Sequence, residues 1–258
     1  MNASLYDELY RVEQTHWWFR ARRQIVWSLV GRYMGGASEN RLKICELGCG
    51  TGGNLAEVAD KHDVIGVECS PQAIAYAKLR LGDRVRHGHL PDNVDLPRAS
   101  FDVVLLTDVL EHVEDDTASA RTALKLLRPG GIVVATVPAY QWLYSPRDAQ
   151  HHHFRRYSRQ RFAKLWPAAS ADTLLLSHYN TLLFPPAAAV RLFEKLVPPR
   201  GTSGDLAATD GYVNKVLTQI MASERNLLGR LPLPCGLSLI AVARKLETAA
   251  MARPALAA

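Results

Sequence analysis

The 258-residue sequence predicts a doubly wound α/β fold. Three observations lead there. An apolar strand at Leu42–Leu47 runs into a turn with Gly48, Gly50, Gly52 and Gly53 inside six residues, and then into a helix opening at Asn54. A second strand, Val64–Val67, ends in Glu68, twenty residues beyond Gly48. Beyond it, apolar strands alternate with amphipathic helices as far as Arg244, which is the rhythm of βαβ units.

The glycine turn is the stretch with the most chemistry in it. A strand, a glycine-dense turn and a helix N-terminus together aim backbone N–H groups at a ligand with no side chain in the way. A carboxylate at the tip of the second strand is placed to accept hydrogen bonds from ribose hydroxyls, so the turn and Glu68 predict a nucleoside-like cofactor. Gly48, Gly50 and Gly53 also satisfy G-x-G-x-x-G, which leaves a dinucleotide open. Glu46 argues against one. An anion at the end of the first strand repels a pyrophosphate and suits a ligand carrying an ammonium and a sulfonium. A binder that holds the cofactor without chemistry stays open as well.

Glu46, Gly48, Gly50 and Gly52 resemble the first motif of the class I S-adenosylmethionine-dependent methyltransferases, acid-x-Gly-x-Gly-x-Gly. Phe101–Thr107 (FDVVLLT) followed by Asp108-Val109-Leu110-Glu111-His112-Val113 resembles the fourth-strand motif of the same family. Arg128-Pro129-Gly130-Gly131 before the strand Ile132–Val137 is another of its landmarks. The resemblance implies a Rossmann-like sheet of seven strands in the order 3-2-1-4-5-7-6, with strand seven antiparallel. It implies S-adenosyl-L-methionine as methyl donor and S-adenosyl-L-homocysteine as product. Glu46, Gly48, Gly50, Gly52 and Asn54 would hold the methionine end, and Glu68 with Cys69 the ribose. His89 and Leu90 would read the adenine edge, a position where the family more often has Asp. Thr107, Asp108, Val109 and His112 would lie beneath the methionine part.

The remaining elements follow in order. Leu5–Met34 reads as two helices broken by His16-Trp17-Trp18-Phe19. So many adjacent aromatics are costly to expose. They pack as a cap on the domain, or they form a lid in which Trp17 and Arg22 touch the cofactor and Trp18 the substrate. Gly35–Asn40 is a linker. Ser70-Pro71 supplies a helix cap and a first-turn proline, followed by Ala73–Leu81. Val85–Leu90 is the third strand, Thr173–Tyr179 the sixth and Leu237–Arg244 the seventh. Between the last two, Asn180–Pro234 is too long for a hairpin and reads as a helical insertion broken at Pro198–Gly204. The insertion is expected to cover substrate or form a dimer surface, and its amphipathic helices could instead meet a membrane surface. The expected units are a lid at 1–35, the main domain at 36–246 with the insertion at 180–234, and a tail at 247–258.

Pro138–Tyr157 (PAYQWLYSPRDAQHHHFRRY) follows the fifth strand, at the edge where open α/β sheets bind ligands. A metal site from His151, His152 and His153 is not expected, because consecutive histidines cannot all face one ion. A solvated loop competes with a substrate-facing one. In the latter His153 is the general base, His16 and His112 are the alternatives, and Tyr140 is an orienter. Trp142, Tyr144, Arg155, Arg156 and Tyr157 would then shape the site with Trp18. Glu13, His16, Trp17, Trp18, Phe19 and Arg22, taken with Asp148, His153, Arg155, Arg156 and Tyr157, resemble a bacterial methyltransferase-domain group. That resemblance does not name what is methylated; the Trp- and Tyr-rich walls favour a small aromatic or heteroaromatic metabolite as acceptor, with a glycan or lipid-linked precursor as the other reading.

Composition narrows the partners. Net charge is +6, and the basic residues are not clustered with aromatics, so nucleic acid is not indicated. The polar N-terminus does not read as a signal peptide, and Pro185 and Pro186 interrupt the longest apolar run. Stable membrane insertion is therefore not expected. Cys45, Cys49, Cys69 and Cys235 form no C-x-x-C pair, and Gly52 replaces the third cysteine an iron–sulfur motif would need. These features predict a reduced, cytoplasmic protein, monomeric or homodimeric.

Overall fold

A computed structural model describes residues 3–35, 41–196 and 211–247. Residues 1–2, 36–40, 197–210 and 248–258 lie outside the described residues, and with them the expected break at Pro198–Gly204 and all but the first residue of the expected linker and of the expected tail. In chain order the elements are α1 (Ala3–Val12), α2 (Trp17–Met34), β1 (Lys43–Leu47), α3 (Gly53–Ala56), β2 (Asp63–Glu68), α4 (Pro71–Leu81), β3 (Val85–His87) and β4 (Phe101–Thr107). There follow α5 (Asp116–Leu126), β5 (Leu127–Pro138), α6 (Pro146–Gln150), α7 (Arg159–Ala163), β6 (Ala171–Tyr179), α8 (Phe184–Leu196), α9 (Gly211–Ser223) and β7 (Ser238–Lys245).

The seven strands form one sheet in the order β3-β2-β1-β4-β5-β7-β6. Strands β1 to β5 pair in parallel, and β7 runs antiparallel between β5 and β6. This is the expected order. The sheet is buried on both faces, which explains the unbroken apolar run of β4. Its Val103 and Leu105 belong to one core with Ile44, Val134 and Ile240, while Val104 and Leu106 belong to the other with Leu47, Val133 and Ala241. Successive side chains of a strand point to opposite faces, so one hydrophobic segment serves both cores.

β4 keeps its expected bounds, β1, β2, β6 and β7 shift by one or two residues at one or both ends, and β3 and β5 depart furthest. β3 stops at His87 because Gly88 and His89 turn into a bridge with Asn93. A Cβ on Gly88 would lie 2.6 Å from the Asn93 carbonyl oxygen. β5 begins at Leu127, and the register against β4 jumps from Phe101↔Leu127 to Val103↔Ile132. The Arg128-Pro129-Gly130-Gly131 turn is looped out within the strand, with Gly130 at φ +77°.

The N-terminal helices take different places. α2 buries Ala21, Ile25, Val26 and Leu29 in the core on one face of the sheet. α1 instead lies over the glycine turn. The insertion is tied to this pair, since α9 packs on α2. Asn214 Oδ1 accepts from Trp17 N at 2.7 Å, and its Nδ2 donates to the Thr15 carbonyl at 2.8 Å.

Candidate functional site

β1 and β2 end side by side, and the turn after β1 is built around that junction. Gly48 N and Cys49 N donate to the Val67 carbonyl at 2.8 and 3.0 Å. Gly48 sits at φ +71°, and a Cβ there would lie 2.7 Å from a Val109 methyl. The carboxylate of Glu68 closes the turn. Its Oε2 accepts from Gly50 N at 2.9 Å, and its Oε1 accepts from Cys69 N and Ser70 N, both at 2.9 Å. Three backbone donors therefore hold one buried anion at the end of β2. A Cβ on Gly50 would come no nearer than 4.0 Å to Leu9, so the second glycine is needed for its φ of +55° rather than for space.

Glu46, at the centre of the sheet, is almost wholly buried. Its Oε1 accepts from Asn54 Nδ2 at 2.6 Å and from Thr107 Oγ1 at 2.8 Å. Its Oε2 is buried with no hydrogen-bond partner. Burial raises its pKa above the ordinary carboxylate value, against the pull of Asn54, Thr107 and Arg22. Next to Thr107, Asp108 sits at φ +54°, an uncommon backbone for a non-glycine residue. Its Oδ1 accepts from Thr136 Oγ1 at 2.9 Å, and its Oδ2 pairs with Arg22. Burial would lower the Arg22 pKa, but Asp108, through its charge and its hydrogen bond, together with Tyr179 and Glu46 more than offsets it and raises the pKa.

α1 covers this turn. Glu13 pairs with Arg80 of α4 and accepts from Thr51 Oγ1 in the turn itself. Arg80 also donates to the Thr51 carbonyl at 3.0 Å and to the Tyr10 carbonyl at 2.8 Å, with its guanidinium 4.2 Å above the Tyr10 ring. Tyr6 is buried beside Glu68, and burial first, then the Glu68 charge, pushes its phenol up to about 12.

The second half of the site is the loop after β5. His153 Nδ1 lies 3.0 Å from Asp148 Oδ1, and Arg156 Nε donates to the same oxygen at 2.8 Å. Asp148 Oδ2 accepts from Ser145 N at 2.9 Å and Ser145 Oγ at 3.1 Å, closing a capping box at the start of α6. Burial raises the Asp148 pKa, but His153 and Arg156 outweigh it and hold the carboxyl well below its ordinary range. Tyr144 donates to the His153 carbonyl at 2.8 Å, and Phe154 N donates to the Glu111 carbonyl at 2.8 Å. The second bond pins the loop to the turn after β4. The His112 and His153 rings meet edge-on, 4.5 Å apart. Burial first, then His153, pushes the His112 pKa down to about 3. Glu111 is buried with Oε2 unpartnered, and burial and the Asp108 charge raise its pKa.

The loop residues expected to shape a substrate site divide. Tyr157 is fully buried and donates to Asp116 Oδ2 at 2.9 Å and the Leu110 carbonyl at 3.1 Å. Arg155 donates to the Val113 and Glu114 carbonyls, both at 2.9 Å, and lies 3.2 Å from Asp116. Both fasten the loop to α5 and the turn before it, and Arg156 fastens Asp148. Tyr140, at φ +62°, stacks on His178 at 5.2 Å with Phe184 and Trp142 at 5.5 and 5.6 Å, so an aromatic cluster flanks the loop. Trp142 is half exposed.

His16 caps α2, its Nδ1 accepting from Trp18 N at 3.3 Å. Trp17 and Trp18 are partly buried against the core, and Trp18 stacks on Tyr179 at 6.2 Å. His89 is exposed beside the β3 bridge, Leu90 is partly buried, and Cys69 is exposed. Glu13, Tyr6, Glu111, Tyr179 and His178 were not singled out as site residues from sequence. Asp148 was part of the loop motif, but nothing in its spacing named it as the partner of His153.

The first half of the site suits a cationic nucleoside. Glu46 presents a buried carboxyl oxygen without a partner, the glycine turn brings backbone close without side chains, and Glu68 stands fixed at the strand tip. The description "Methyltransferase domain" belongs to a family model that matches residues 18–180. A Mycolicibacterium smegmatis protein named as an S-adenosylmethionine-dependent methyltransferase is 31% identical over 127 residues, 48% of this chain and 47% of that one. The ubiquinone biosynthesis O-methyltransferase of Psychrobacter arcticus is 36% identical over 103 residues, 36% of this chain and 39% of that enzyme. The matched stretch thus spans about half of these relatives' length or less. Among solved structures, Burkholderia thailandensis 1,6-didemethyltoxoflavin-N1-methyltransferase superposes with a TM-score of 0.51 at 18% identity, covering 88% of this chain and 79% of that one. The [4+2]-cyclase SpnF superposes at 0.53 and 19% identity, covering 87% and 82%, so the shared architecture alone does not name a reaction. The family match over 18–180 does what the architecture cannot: the chain belongs to the methyltransferase-domain family.

Proposed function

We propose that the protein transfers the methyl group of S-adenosylmethionine to a small aromatic or heteroaromatic acceptor, with His153 taking the acceptor's proton. The observation that carries the second half of this reading is the Asp148–His153 pair, 3.0 Å apart and pinned to the turn after β4. When bound, the cofactor supplies an already activated methyl, so the protein's task is alignment in a dry site, an effect of order 7–11 kcal/mol.

The residues divide that task. Glu68 and the backbone of Gly48 and Gly50 bind the nucleoside, and Glu46 meets the positive end. Asp148, as a carboxylate, can only accept, so the Nδ1 it faces carries the proton and Nε2 is left as the basic nitrogen. Tyr144 holds the His153 main-chain carbonyl and Arg156 holds the carboxylate of Asp148. An O, N or C nucleophile that is protonated at working pH then has a base beside it. The cluster of Tyr140, His178, Phe184 and Trp142 supports a planar acceptor. The test is incubation with methyl-tritiated S-adenosylmethionine and a panel of hydroxylated aromatics and N-heteroaromatics. Label transfer that His153→Ala lowers about 10²-fold supports the reading. Transfer undiminished in that variant removes His153 as base.

A further inference from the structure

The turn after β4 and the loop after β5 bring together three donors that the proposed chemistry uses only in part. Glu111, His112 and His153 each offer one ligand atom, and these atoms lie within 4.8 Å of one another. Among the described residues no other three His, Cys, Asp or Glu side chains come together in this way. Of the three consecutive histidines only His153 takes part, and the other two ligands come from the one-turn helix Leu110–His112. The bond from Phe154 N to the Glu111 carbonyl, 2.8 Å long, ties the two segments to each other beside the set.

Each donor is prepared for a cation. Glu111 is 1% exposed, and its Oε2 has no hydrogen-bond partner. A buried carboxyl oxygen without a donor is costly, and a metal ion would satisfy it. Arg22 and Arg156, the cations whose charges reach Glu111, are already paired with Asp108 and Asp148. His153 has the arrangement usual for a metal-binding imidazole. A carboxylate, Asp148, faces one ring nitrogen at 3.0 Å, and the lone pair is left on the other. Both histidines are only partly buried, which leaves an arriving ion a way in.

Two imidazoles and a carboxylate suit zinc and its neighbours rather than magnesium or calcium, which take oxygen ligands. Bonds of about 2.0–2.2 Å in a tetrahedron set ligand atoms about 3.4 Å apart, so side-chain rotation has at most about 1.4 Å to close. Three protein ligands leave a fourth position for water.

We propose that Glu111, His112 and His153 form a binding site for a divalent transition-metal ion, zinc being the expected type. The ion would occupy the Nε2 lone pair of His153, so under the methyltransferase reading it competes with the acceptor's proton and holds transfer off. That consequence rests on the methyltransferase reading. The site itself does not.

The experiment is titration of the chelator-stripped full chain with Co2+, followed in the visible spectrum, and then with Zn2+. Wild type is compared with Glu111→Gln, with His112→Gln and with His152→Gln, an exposed position outside the set. Thermal melts of each variant verify folding. The expected result is one Co2+ per chain with the intense visible bands of a tetrahedral site, bleached by an equivalent of Zn2+. Affinity falls at least about 100-fold in Glu111→Gln and in His112→Gln, and is unchanged in His152→Gln. Wild type without those bands overturns the proposal, as does binding that survives in both ligand variants. Binding that His152→Gln removes equally overturns it too, since the ion then belongs to the exposed histidine run. Zn2+ is expected to lower label transfer from methyl-tritiated S-adenosylmethionine, with a chelator restoring it, and transfer that Zn2+ raises overturns the competition. Wild type that transfers no label contradicts the methyltransferase reading, while the cobalt spectrum, taken without cofactor, still decides the site.

Discussion

His153 Nδ1 and Asp148 Oδ1 stand 3.0 Å apart, five residues from each other along a loop that begins at the end of β5. The carboxylate is not a free partner. It also receives Arg156 and both donors of Ser145, so its position is fixed from three sides and the imidazole takes its orientation from it.

Asp148→Asn therefore offers a donor or a weaker acceptor where the ring needs a carboxylate. The expected result is a kcat lower by about 10²-fold with S-adenosylhomocysteine affinity unchanged. Arg156 loses its buried partner in the same variant, at a cost of about 3 kcal/mol, so a lowered melting temperature accompanies the lost rate. Activity partly restored in Asp148→Glu separates orientation of the ring from simple loss of folding.

The turn after β4 sets the response to pH. His112 has its pKa lowered from 6.5 to about 3, so its contribution to stability is full above 6.5 and is lost as pH falls toward 3. Glu111 is shifted the other way. Its contribution is present below 4.5 and is lost as pH rises through the raised value. Melting temperatures between pH 7 and pH 4 should fall less steeply in His112→Gln than in wild type, and more steeply in Glu111→Gln. Parallel slopes in all three proteins would contradict the assignment.

Tyr157 is fully buried and fastens the loop to Leu110 and Asp116. Tyr157→Phe removes its bonds to Asp116 and Leu110, acceptors that keep Arg161 and Val113 N as donors, for about 0.5–1.5 kcal/mol of stability. Chemical denaturation should show that loss, while KM for the acceptor stays where it was.

Glu13 locks α1 over the glycine turn through Arg80 and Thr51. Glu13→Gln should speed tryptic cleavage after Arg11 severalfold and weaken S-adenosylhomocysteine, and saturating ligand should restore protection. Unchanged cleavage would mean that the rest of the α1 contact holds the helix alone, namely Tyr10 under Arg80 and Asp7 Oδ1, which accepts from Gln72 Nε2 and Tyr76 OH at 2.7 Å each.

The sheet was legible because its signals are local and repeated. An apolar run such as FDVVLLT admits little but a two-sided buried strand, and glycines at Gly48, Gly50 and Gly52 require the left-handed backbone that the turn shows. Glu46 and Glu68 could be placed because strand tips in a parallel sheet converge. The loop after β5 was harder. Its residues are equally polar and aromatic whether they face a ligand or tie the loop down, and only the fold shows that Arg155 and Tyr157 turn to α5 while Asp148 turns to His153. The same holds for Leu5–Met34. Hydrophobic spacing gives two helices but cannot say that α2 joins the core while α1 crosses the turn.

The central claim is that the glycine turn and Glu68 hold a sulfonium nucleoside. Calorimetric titration with S-adenosylhomocysteine, with NADH in parallel, tests it on wild type, Glu68→Ala and Gly50→Val. Glu68→Ala removes the acceptor of three backbone N–H groups, and Gly50→Val forces a β-branched residue to a φ of +55°. The account predicts micromolar S-adenosylhomocysteine binding, abolished by each substitution. Binding of NADH instead, or S-adenosylhomocysteine affinity that survives both substitutions, would contradict it.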